Sequence, residues 1–359
     1  MIRRFVRTAL LLLDGLLLLL FLVGYLARYI HPRYAWWAGL IATGLPYISG
    51  VLAGATVGIL LARRWKWLAL HLLVLVLILV RFVSMEGGAS PGPGDLRVMT
   101  FNTSRGGGAS VEELGRAVTA VVRAEKPDLL ALQEAYIEYH PTPPTVRPEP
   151  ILAALIDSLG YRTIGPDGSR GATYTPQPVL GRMQLLEQTQ TIVEQGDDNT
   201  PTARVMRTRF RWKGREAVHY NLHLLSFGYQ KPWEDEQRDL LSLRFWITYL
   251  RQYRDAYLTR ARQVEKIRAL LDQETLPVIV SGDFNSTPHN WVYYCLTDGL
   301  QDAFKVAGRG WGATYHVKWP VARIDHLLVS PEWKVVSAHV SEAPHSDHLP
   351  LVVQVRWRE

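Results

Sequence analysis

Side chains that can bind a cation or transfer a proton recur along the chain beyond residue 95, at or near the ends of apolar segments. They are Asn102, Glu134, His223, Asp283, Asn285, Asp325, Asp347 and His348. One such residue alone is weak evidence, because Asp and Asn at strand ends often cap turns. Their repetition favours a common site, because functional loops collect where the strands of a sheet end.

These residue types indicate one kind of metal chemistry. Carboxylate and amide oxygens favour a hard divalent cation such as Mg²⁺, Mn²⁺ or Ca²⁺ over zinc. Cys295 is the only cysteine, which excludes an intramolecular disulfide and a cysteine-based zinc site. A divalent cation offsets the negative charge with which a phosphate ester repels an attacking hydroxide. The set is therefore compatible with hydrolysis of a phosphate ester or a pyrophosphate bond.

The polar residues stand in short motifs whose order along the chain is informative. The motifs are Thr100–Asn102, Leu132–Glu134, Asn221–His223, Gly282–Asn285, Arg323–His326 and Ser346–His348. In this order they resemble the motifs of the endonuclease/exonuclease/phosphatase superfamily, the fold of DNase I-like nucleases, inositol polyphosphate phosphatases and neutral sphingomyelinases. The resemblance spans residues 96–357 and implies an α/β protein, a four-layer α/β/β/α sandwich.

The resemblance also implies a metal site. Glu134 is the expected main ligand, with Asn102 and Asp347 nearby. Mg²⁺ is the expected ion, and Mn²⁺ or Ca²⁺ are alternatives, because all three accept oxygen ligands.

The remaining residues have implied roles in the reaction. Asp283 orients or deprotonates the attacking water, and Asn285 holds both the water and the phosphate. His348 donates to the phosphoryl oxygen as charge builds there. Asp325 fixes the tautomer of His348 and raises its pKa, as a carboxylate beside an imidazole does. His223 binds the phosphate from the other side.

One part of the chain departs from the family pattern. Members of the family carry a tyrosine or glutamate near a strand between the Glu motif and the first His motif. The chain has Tyr174 followed by two prolines and Arg182 in this region. Tyr174 is the candidate for the second wall of the site, on which the identity of the substrate depends.

Apolar segments predict the elements that must hold these residues. The predicted strands are Leu96–Asn102, Asp128–Gln133, Val205–Trp212, Val218–Leu225, Pro277–Ser281, Ile324–Ser330 and Leu349–Trp357. The predicted helices are Val111–Glu125, Pro150–Leu159 and Asp239–Leu271, the last as one long helix or two. Ser110 and Glu113 match a capping box at the first of these helices. Mixed strands and helices of this kind predict a layered α/β sandwich.

Three apolar segments precede these elements, at about residues 8–28, 38–62 and 66–83. A transmembrane helix needs about 20 apolar residues, within a range of about 17–25. The segments therefore predict three transmembrane helices in an anchor of residues 1–83, with one signal anchor followed by a hairpin as the alternative. The Gly- and Pro-rich residues 84–95 predict a linker, and residues 96–359 form the predicted catalytic domain.

The basic residues beside these segments predict an orientation. Six Arg or Lys residues flank the side that holds the N-terminus, against three on the other side. Basic flanks stay in the cytoplasm, so three crossings place the catalytic domain outside a cell (inner) membrane that the chain crosses several times. Within the predicted spans, Asp14 and His71 lie at similar depths and can pair; contact of each with interfacial water is the alternative.

The net charge of +7 divides unequally along the chain. Residues 1–83 contain nine basic residues and one acid, whereas the remainder contains 31 basic and 32 acidic residues. Proteins that bind nucleic acid neutralise its phosphates with Lys and Arg. A catalytic domain with a net charge of −1 therefore disfavours nucleic acid as the general partner. Arg207, Arg209 and Arg211 alternate along one strand, where they predict one solvated face.

Apolar and aromatic residues also crowd the segment from Trp233 to Leu258, after the first His motif. Packing in the core is one interpretation. A surface that rests on the membrane or on a lipid chain is the other, because Trp and Tyr favour that interface.

Anchor, short linker and near-neutral domain together also resemble bacterial membrane phosphoesterases associated with vancomycin and teicoplanin resistance. The leading hypothesis is a membrane-anchored, metal-dependent phosphoesterase that acts outside the cytoplasm on a lipid-linked phosphate. Its expected partners are membrane lipids. The alternatives are an extracytoplasmic nuclease with the same residues and a catalytically silent scaffold.

Overall fold

The computed structural model of the protein describes residues 1–84, 88–90, 92–104, 109–141, 144–166, 173–196, 202–226, 239–315 and 322–359. Its strands are β1 Leu96–Asn102, β2 Leu129–Gln133, β3 Ile137–Pro141, β4 Pro144–Pro148, β5 Thr173–Thr175, β6 Val179–Gly181, β7 Gln184–Glu194, β8 Ala203–Trp212, β9 Arg215–His223, β10 Val278–Asp283, β11 Gln301–Asp302, β12 Asp325–Val329, β13 Trp333–Val340 and β14 Leu351–Trp357. Its helices are α1 Ile2–Leu26, α2 Pro32–Thr43, α3 Leu45–Leu61, α4 Trp65–Phe82, α5 Val111–Glu125, α6 Pro150–Asp157, α7 Leu243–Leu271, α8 Trp291–Leu296 and α9 Ala303–Ala307.

The chain beyond residue 95 forms two large β-sheets. One has the strand order β13-β14-β1-β2-β6, and the other has the order β11-β12-β10-β9-β8-β7. β1 runs parallel to β2, and β9 runs parallel to β10, so each pair ends at the same edge of its sheet. β12 runs antiparallel to β10 and begins opposite its last residue. Strand ends that carry polar residues therefore meet, as the sequence predicts. A third sheet, β4-β3-β5, has three short strands.

Three apolar clusters lie on the faces of these sheets. The first joins the two large sheets and includes Val98 of β1 and Phe210 of β8. The second packs the other face of the six-stranded sheet against α7 and α8, with Tyr253 and Tyr257 fully buried. The third packs the five-stranded sheet against α5 and α6 and includes Phe101. The strands β1 and β10 are both buried on their two faces, which explains their nearly continuous apolar sequences.

The N-terminal helices agree in part with the predicted spans. Two helical segments, Arg4–Tyr29 and Trp65–Phe82, are long and apolar enough to cross a membrane. The segment predicted as one span at about 38–62 consists instead of α2 and α3, which meet at Gly44 with a bend of 53° and count as a third span only if taken together. Asp14 pairs with His71, as the sequence suggested: the carboxylate oxygen lies 3.1 Å from the imidazole Nε2.

α2 packs on the domain that follows the apolar N-terminal helices. Gly39 lies so close to Tyr257 of α7 that a Cβ there would approach the ring to 2.2 Å. Trp36 and Leu40 extend the cluster around α7, and Nε2 of His31 lies 3.0 Å from Oε1 of Glu265. The hydrophobic segment and the domain are thus held together by packing as well as by the chain.

The described part of the predicted linker also contacts the domain. The backbone of Ser84 pairs with that of Gly310 through hydrogen bonds of 3.0 and 2.9 Å. The N–H of Gly88 donates to the carbonyl of Ala307 at 3.2 Å. Ser84 and Gly88 therefore have backbone partners in the domain, which the Gly- and Pro-rich composition alone does not predict.

Every strand and helix named from the sequence is present, with ends shifted by a few residues. The predicted capping box forms, since Ser110 Oγ accepts from the N–H of Glu113 and Glu113 accepts in return. α7 is one helix that begins at Leu243, because Ser242 caps it, and not at Asp239. The strands β3–β7, β11 and β13 and the helices α8 and α9 are additional to the prediction.

The arginines of β8 and the aromatic segment from Trp233 to Leu258 are both possible surfaces by sequence, and their structures differ. Arg207, Arg209 and Arg211 on β8 form ion pairs with glutamates, which fits a solvated face. In the aromatic segment, Tyr249, Tyr253 and Tyr257 are buried in the core, whereas large apolar residues nearer its start, such as Leu243 and Trp246, are exposed. Trp233 lies outside the described residues.

Candidate active site

Glycine at position 282 fixes the end of β10 on which the site depends. Its φ is +140°, and a Cβ there would lie 1.9 Å from the carbonyl oxygen of Leu222 on β9. Only glycine tolerates this combination of backbone conformation and close approach. The pairing that it permits sets Asp283 opposite His223 on one side and opposite Asp325 on the other.

Asp283 is a fully buried carboxylate surrounded by amide donors. Its Oδ2 accepts from Nδ2 of Asn102 at 3.0 Å and from Nδ2 of Asn285 at 3.1 Å. Its Oδ1 accepts from the backbone N–H of Asn285 at 2.7 Å. Burial raises the pKa of Asp283 to about 6, with Asp325 adding to the rise and His348 and His223 opposing it. A carboxylate with such a pKa can accept a proton near neutral pH.

His348 and Asp325 form a hydrogen-bonded pair. Nδ1 of His348 lies 2.9 Å from Oδ2 of Asp325, and both side chains are buried. Burial opposes the charge on His348, but Asp325, Asp283 and Asp347 raise its pKa to about 10. The imidazole is therefore charged at neutral pH, with Nδ1–H donated to Asp325 and Nε2–H directed elsewhere. The predicted role of Asp325 agrees with this geometry.

Two imidazoles approach the same carboxylate oxygen. Nε2 of His348 lies 3.8 Å from Oδ2 of Asp283, and Nε2 of His223 lies 3.7 Å from it. Nε2 of His223 is also 3.7 Å from Oε1 of Glu134. These distances are too long for direct hydrogen bonds. They leave no space for an oxygen atom in line between an imidazole and Asp283, so a water or a phosphoryl oxygen that contacts both must lie beside the pair.

Two of the residues expected to hold a metal, Glu134 and Asp347, lie beside this group, whereas Oδ1 of Asn102 accepts from the N–H of Ser104 at 3.0 Å. Asn102 donates through Nδ2 to Oε1 of Glu134 at 3.2 Å, and Glu134 follows β2 with a positive φ of 56°. Glu134 and Asp347 line one cavity with Asp283 and His348. Oδ1 of Asp347 is buried and has no hydrogen-bond partner in the part of the chain that the structure describes. A buried anionic oxygen without a donor fits a cation ligand.

Asp283, Asp325 and His348 are also close enough together to contact one metal ion. One ligand atom from each of Asp283, Asp325 and His348 lies within 4.8 Å of the others. Nδ1 of His348 and Oδ2 of Asp325 already share a hydrogen bond, however. A cation near the protonated imidazole would also meet like charge. The oxygen set around Glu134 therefore fits a hard cation better.

Sequence reasoning missed two residues that line this cavity of about 150 Å³. Arg260 of α7 is buried, its Nη1 donates to the carbonyl of Leu225 at 2.9 Å, and its Nε has no partner among the described residues. The sequence could have indicated Arg260, because it places a charged residue on the same face of the helix as the apolar residues Tyr253, Tyr257 and Val264. The other residue is Thr43, at the end of α2. Contact over such a distance in sequence leaves no local signal.

A wider groove of about 870 Å³ adjoins the cavity and shares Glu134 and Ser226 with it. Tyr174, the candidate for the second wall, lines this groove and is exposed. Its ring stacks on Tyr136 with 5.1 Å between the ring centroids. The tyrosine therefore borders the groove that leads away from Asp283 and His348, as part of an aromatic pair.

The fold and the site together match one family. The model of the endonuclease/exonuclease/phosphatase family matches residues 99–348, and the chain belongs to this family. Its members are hydrolases that act on phosphoester bonds and are generally dependent on divalent metals. The family resemblance inferred from the motifs is thus confirmed. A search of curated protein sequences finds no match.

Solved structures agree on the DNase I-like fold. An endonuclease/exonuclease/phosphatase family protein from Bacteroides thetaiotaomicron is 17% identical, with a TM-score of 0.52 over 75% of this chain and 100% of that chain. A functionally unknown protein from Enterococcus faecalis is 14% identical, with a TM-score of 0.50 over 73% of this chain and 100% of that chain. A mannosyl-6-phosphatase from Bacteroides thetaiotaomicron is 17% identical, with a TM-score of 0.47 over 73% and 100% of the two chains.

Proposed function

We propose that the protein is a membrane-anchored, divalent-metal-dependent phosphoesterase that hydrolyses a phosphate ester or pyrophosphate bond in a lipid-linked substrate outside the cytoplasm. One observation carries the proposal. Thr43, in the apolar N-terminal region, lines the same cavity as Asp283 and His348. The three apolar clusters support the four-layer α/β/β/α arrangement of such an enzyme.

Contact between α2 and the cavity suits a substrate that stays in the bilayer. A lipid phosphate presents its headgroup at the membrane surface, while its chain remains among apolar residues. α2 continues into α3, which lies among the helices proposed to cross the membrane. A substrate that moves along α2 therefore reaches Asp283 without leaving the membrane surface. The basic bias of the flanks supports placing this surface outside the cytoplasm.

Glu134, Asn102 and Asp347 would hold the cation, Mg²⁺ in the first instance and Mn²⁺ or Ca²⁺ as alternatives. A bound divalent cation polarises the phosphoryl group and offsets its negative charge. Asn102 contributes in a second way, because its amide nitrogen donates to both Glu134 and Asp283. Its amide therefore sets the distance between the metal-binding carboxylate and the carboxylate that activates water.

Asp283 is the proton acceptor in the reaction that we propose. Its Oδ2 accepts a proton from water as the water oxygen attacks phosphorus, which breaks the bond to the leaving group on the opposite side. Nδ2 of Asn285 donates to the same carboxylate and to the carbonyl of Leu224 at 2.9 Å, so the amide has a fixed orientation. Burial of Asp283 keeps its basicity high enough for this step.

Hydrogen-bond donors and a buried arginine stabilise the charge that develops on the phosphoryl oxygens. His348 donates through Nε2–H, while Asp325 keeps the imidazole charged. His223 approaches from the neighbouring strand, and Arg260 adds a permanent positive charge to the cavity wall. Donors that are fixed before the reaction stabilise the transition state without reorganisation.

A substrate panel tests the proposal directly. The full-length protein in neutral lipid nanodiscs is assayed with lipid phosphates and pyrophosphates, sphingomyelin, inositol phosphates and DNA, with Mg²⁺ or with EDTA. We expect release of phosphate or headgroup from a lipid, loss of activity in EDTA, and loss of activity in the Asp283→Asn variant. Efficient cleavage of DNA with no turnover of any lipid would contradict the proposal.

The aromatic pair favours a second candidate, a nuclease. Aromatic rings that border an open groove can stack on nucleotide bases, and Arg204 adds positive charge to the same groove. This candidate predicts nicking of plasmid DNA with an affinity that falls steeply as salt rises. Lipid hydrolysis that is unchanged by Tyr136→Ala, together with absence of nicking, would exclude it.

A further inference from the structure

A small cavity lies where the apolar helices meet the domain, apart from the active site. Its volume is about 40 Å³. We define the junction cavity by the basic residues that line it, Arg28, Arg81, Lys305 and Arg323. Aromatic rings close much of the remaining wall, including Phe82 and Tyr293. The described residues that line the cavity include no carboxylate.

Two of these arginines have buried nitrogen atoms that lack partners. Nε of Arg28 and both Nε and Nη2 of Arg81 are buried, and none has a hydrogen-bond partner within the described chain. Arg323 differs, because its Nη1 lies 2.8 Å from Oδ2 of Asp302 just outside the cavity wall. Guanidinium groups are rarely buried without an anion or carbonyl to accept their N–H groups.

Neighbouring groups hold both guanidiniums in place. Arg28 lies over the ring of Tyr294 at 4.8 Å, and Arg81 lies over the ring of Tyr25 at 4.1 Å and donates to its carbonyl oxygen. Burial, followed by the charges of Arg81, Arg323 and Arg28, lowers the pKa of the adjacent His289 well below its usual value. The positive charges of Arg28, Arg81 and Arg323 thus add up at the junction cavity.

We propose that the junction cavity binds a phosphate-bearing anion, and that the headgroup of an anionic phospholipid supplies it. A phosphate group offers several oxygen acceptors to the unpaired N–H groups, in a geometry that guanidinium matches well. The volume of the cavity holds about three water molecules, which is close to the volume of a phosphate group. Lys305 and Arg323 complete a basic pocket.

The position of the cavity argues for a lipid as the source. Arg28 lies within the last turn of one candidate span, Arg4–Tyr29, and Arg81 lies within the last turn of another, Trp65–Phe82. If these spans cross a membrane, as the proposed function requires, both arginines lie at the depth of the phospholipid headgroups. Anionic lipid surfaces attract basic residues at this depth.

Bound phosphate would reinforce the contact between the anchor and the catalytic domain. Phe82 stacks on His289 with 4.1 Å between the ring centroids. His289 belongs to the segment that follows Asn285, and Thr287 and Asn290 of that segment line the active-site cavity. Pro288 of the same segment lines the junction cavity, so a ligand bound to Arg28 and Arg81 would lie between the ends of two helices and this segment.

Thermal unfolding of the full-length protein in a neutral detergent tests the proposal. The probes are phosphatidylglycerol, phosphatidylcholine and inorganic phosphate. Phosphatidylglycerol is expected to raise the Tm of the unchanged protein more than phosphatidylcholine does, because a ligand stabilises the state that binds it. The rise is expected to be lost in Arg28→Gln and kept in Arg33→Gln, which removes an exposed charge near the same helix end.

A second pair of variants keeps the charge constant. Native mass spectrometry counts phosphatidylglycerol bound to Arg81→Lys and to Arg63→Lys, a change at the far end of the helices. Lysine lacks the forked donors of arginine, so R81K is expected to lose bound lipid while R63K retains it. These variants remain informative if R28Q does not fold.

The outcomes separate the site from its ligand and from the proposed function. Stabilisation by inorganic phosphate alone, dependent on Arg28, would support the anion site and exclude a lipid as its source. Equal responses of R28Q and R33Q, or equal lipid retention by R81K and R63K, would overturn the proposal. None of these measurements needs turnover, so a failure of the proposed enzymatic activity leaves them unaffected.

Discussion

Asn290 donates a hydrogen bond through Nδ2 to the carbonyl oxygen of Gly39, 3.0 Å away, although 251 positions separate the two residues. The bond joins the segment after Asn285 to α2. Nδ2 of Asn290 also lies 3.4 Å from Oγ1 of Thr43, which lines the active-site cavity. The active site therefore depends on a helix of the apolar N-terminal region for part of its wall.

Gly39→Ala tests this dependence. The new Cβ would lie 2.2 Å from Tyr257, so α2 must move away from α7. Overpacking of this kind destabilises by about 1–3 kcal/mol. We expect kcat/KM for a lipid-linked substrate to fall about tenfold, which corresponds to ~1.4 kcal/mol. Activity on the soluble diester bis(p-nitrophenyl) phosphate should remain close to that of the unchanged protein.

Gly50→Ala is the matched control for this experiment. A Cβ at Gly50 would meet no atom within 4 Å, although this glycine also lies in an apolar helix. Its kinetics on both substrates should match those of the unchanged protein. An equal fall on the lipid and on the soluble diester in G39A would show that α2 supports the fold of the site without guiding the substrate.

The pKa values of Asp283 and His348 predict a bell-shaped pH profile. Asp283 must be ionised to accept a proton, so kcat/KM should fall as the pH drops through about 6. His348 must be protonated to donate, so kcat/KM should also fall as the pH rises through about 10. Initial rates on a soluble diester, measured from below pH 6 to above pH 10 at saturating Mg²⁺, define both limbs.

Asp325→Asn assigns the alkaline limb. Asp325 is the main group that raises the pKa of His348, so its neutralisation should move that limb toward lower pH. The apparent pKa of the acidic limb should not rise, because loss of the Asp325 charge removes one cause of the raised pKa of Asp283. An alkaline limb that does not move in D325N would refute the role of His348 as the proton donor.

The sequence predicted the parts of the fold whose signals are local. β10 and β12 are continuous apolar segments followed or preceded by polar residues, so both strands were predicted with ends that differ by one or two residues from those observed. β7, with the sequence QLLEQTQTIVE, has no apolar alternation that a pattern can detect. It is a strand because β8 pairs with it along almost its whole length. Its structure is thus decided by pairing with the next strand and not by its own composition.

Hydropathy also has a limit in the N-terminal region. It identified an apolar segment around Gly44 but not the bend of 53° between α2 and α3. α2 leaves the direction of α3 at this bend and packs on α7 through Gly39. The charge of Arg260 on the buried face of α7 was a readable signal, since a buried arginine requires a specific reason.

Arg260→Gln should reduce turnover, because the variant removes a permanent positive charge from the wall of the active-site cavity. Loss of one fixed donor to a developing anion lowers kcat by about 10²–10³ in other enzymes. We expect a fall of this order with little change in KM for the soluble diester. Arg262→Gln is the control, since Arg262 is exposed and pairs with Glu194 at 2.9 Å. A similar loss in both variants would indicate damage to α7 in general.

Gly282→Ala should damage stability and activity together. The alanine Cβ would approach the carbonyl oxygen of Leu222 to 1.9 Å and its nitrogen to 2.9 Å, at a φ of +140° that alanine rarely adopts. β9 and β10 must separate at their ends, which also moves Asp283 away from His223. We expect a loss of about 3 kcal/mol or more in the free energy of unfolding, measured by urea denaturation, with no measurable turnover.

Gly299→Ala separates the clash from the backbone preference. Gly299 also has a positive φ, +70°, but a Cβ there would meet nothing within 4 Å. Alanine at such a position costs about 1–2 kcal/mol, because the left-handed conformation crowds its Cβ. G299A should therefore lose less stability than G282A and keep its activity. Equal losses in the two variants would mean that the close approach of β9 to β10 does not determine the position of Asp283.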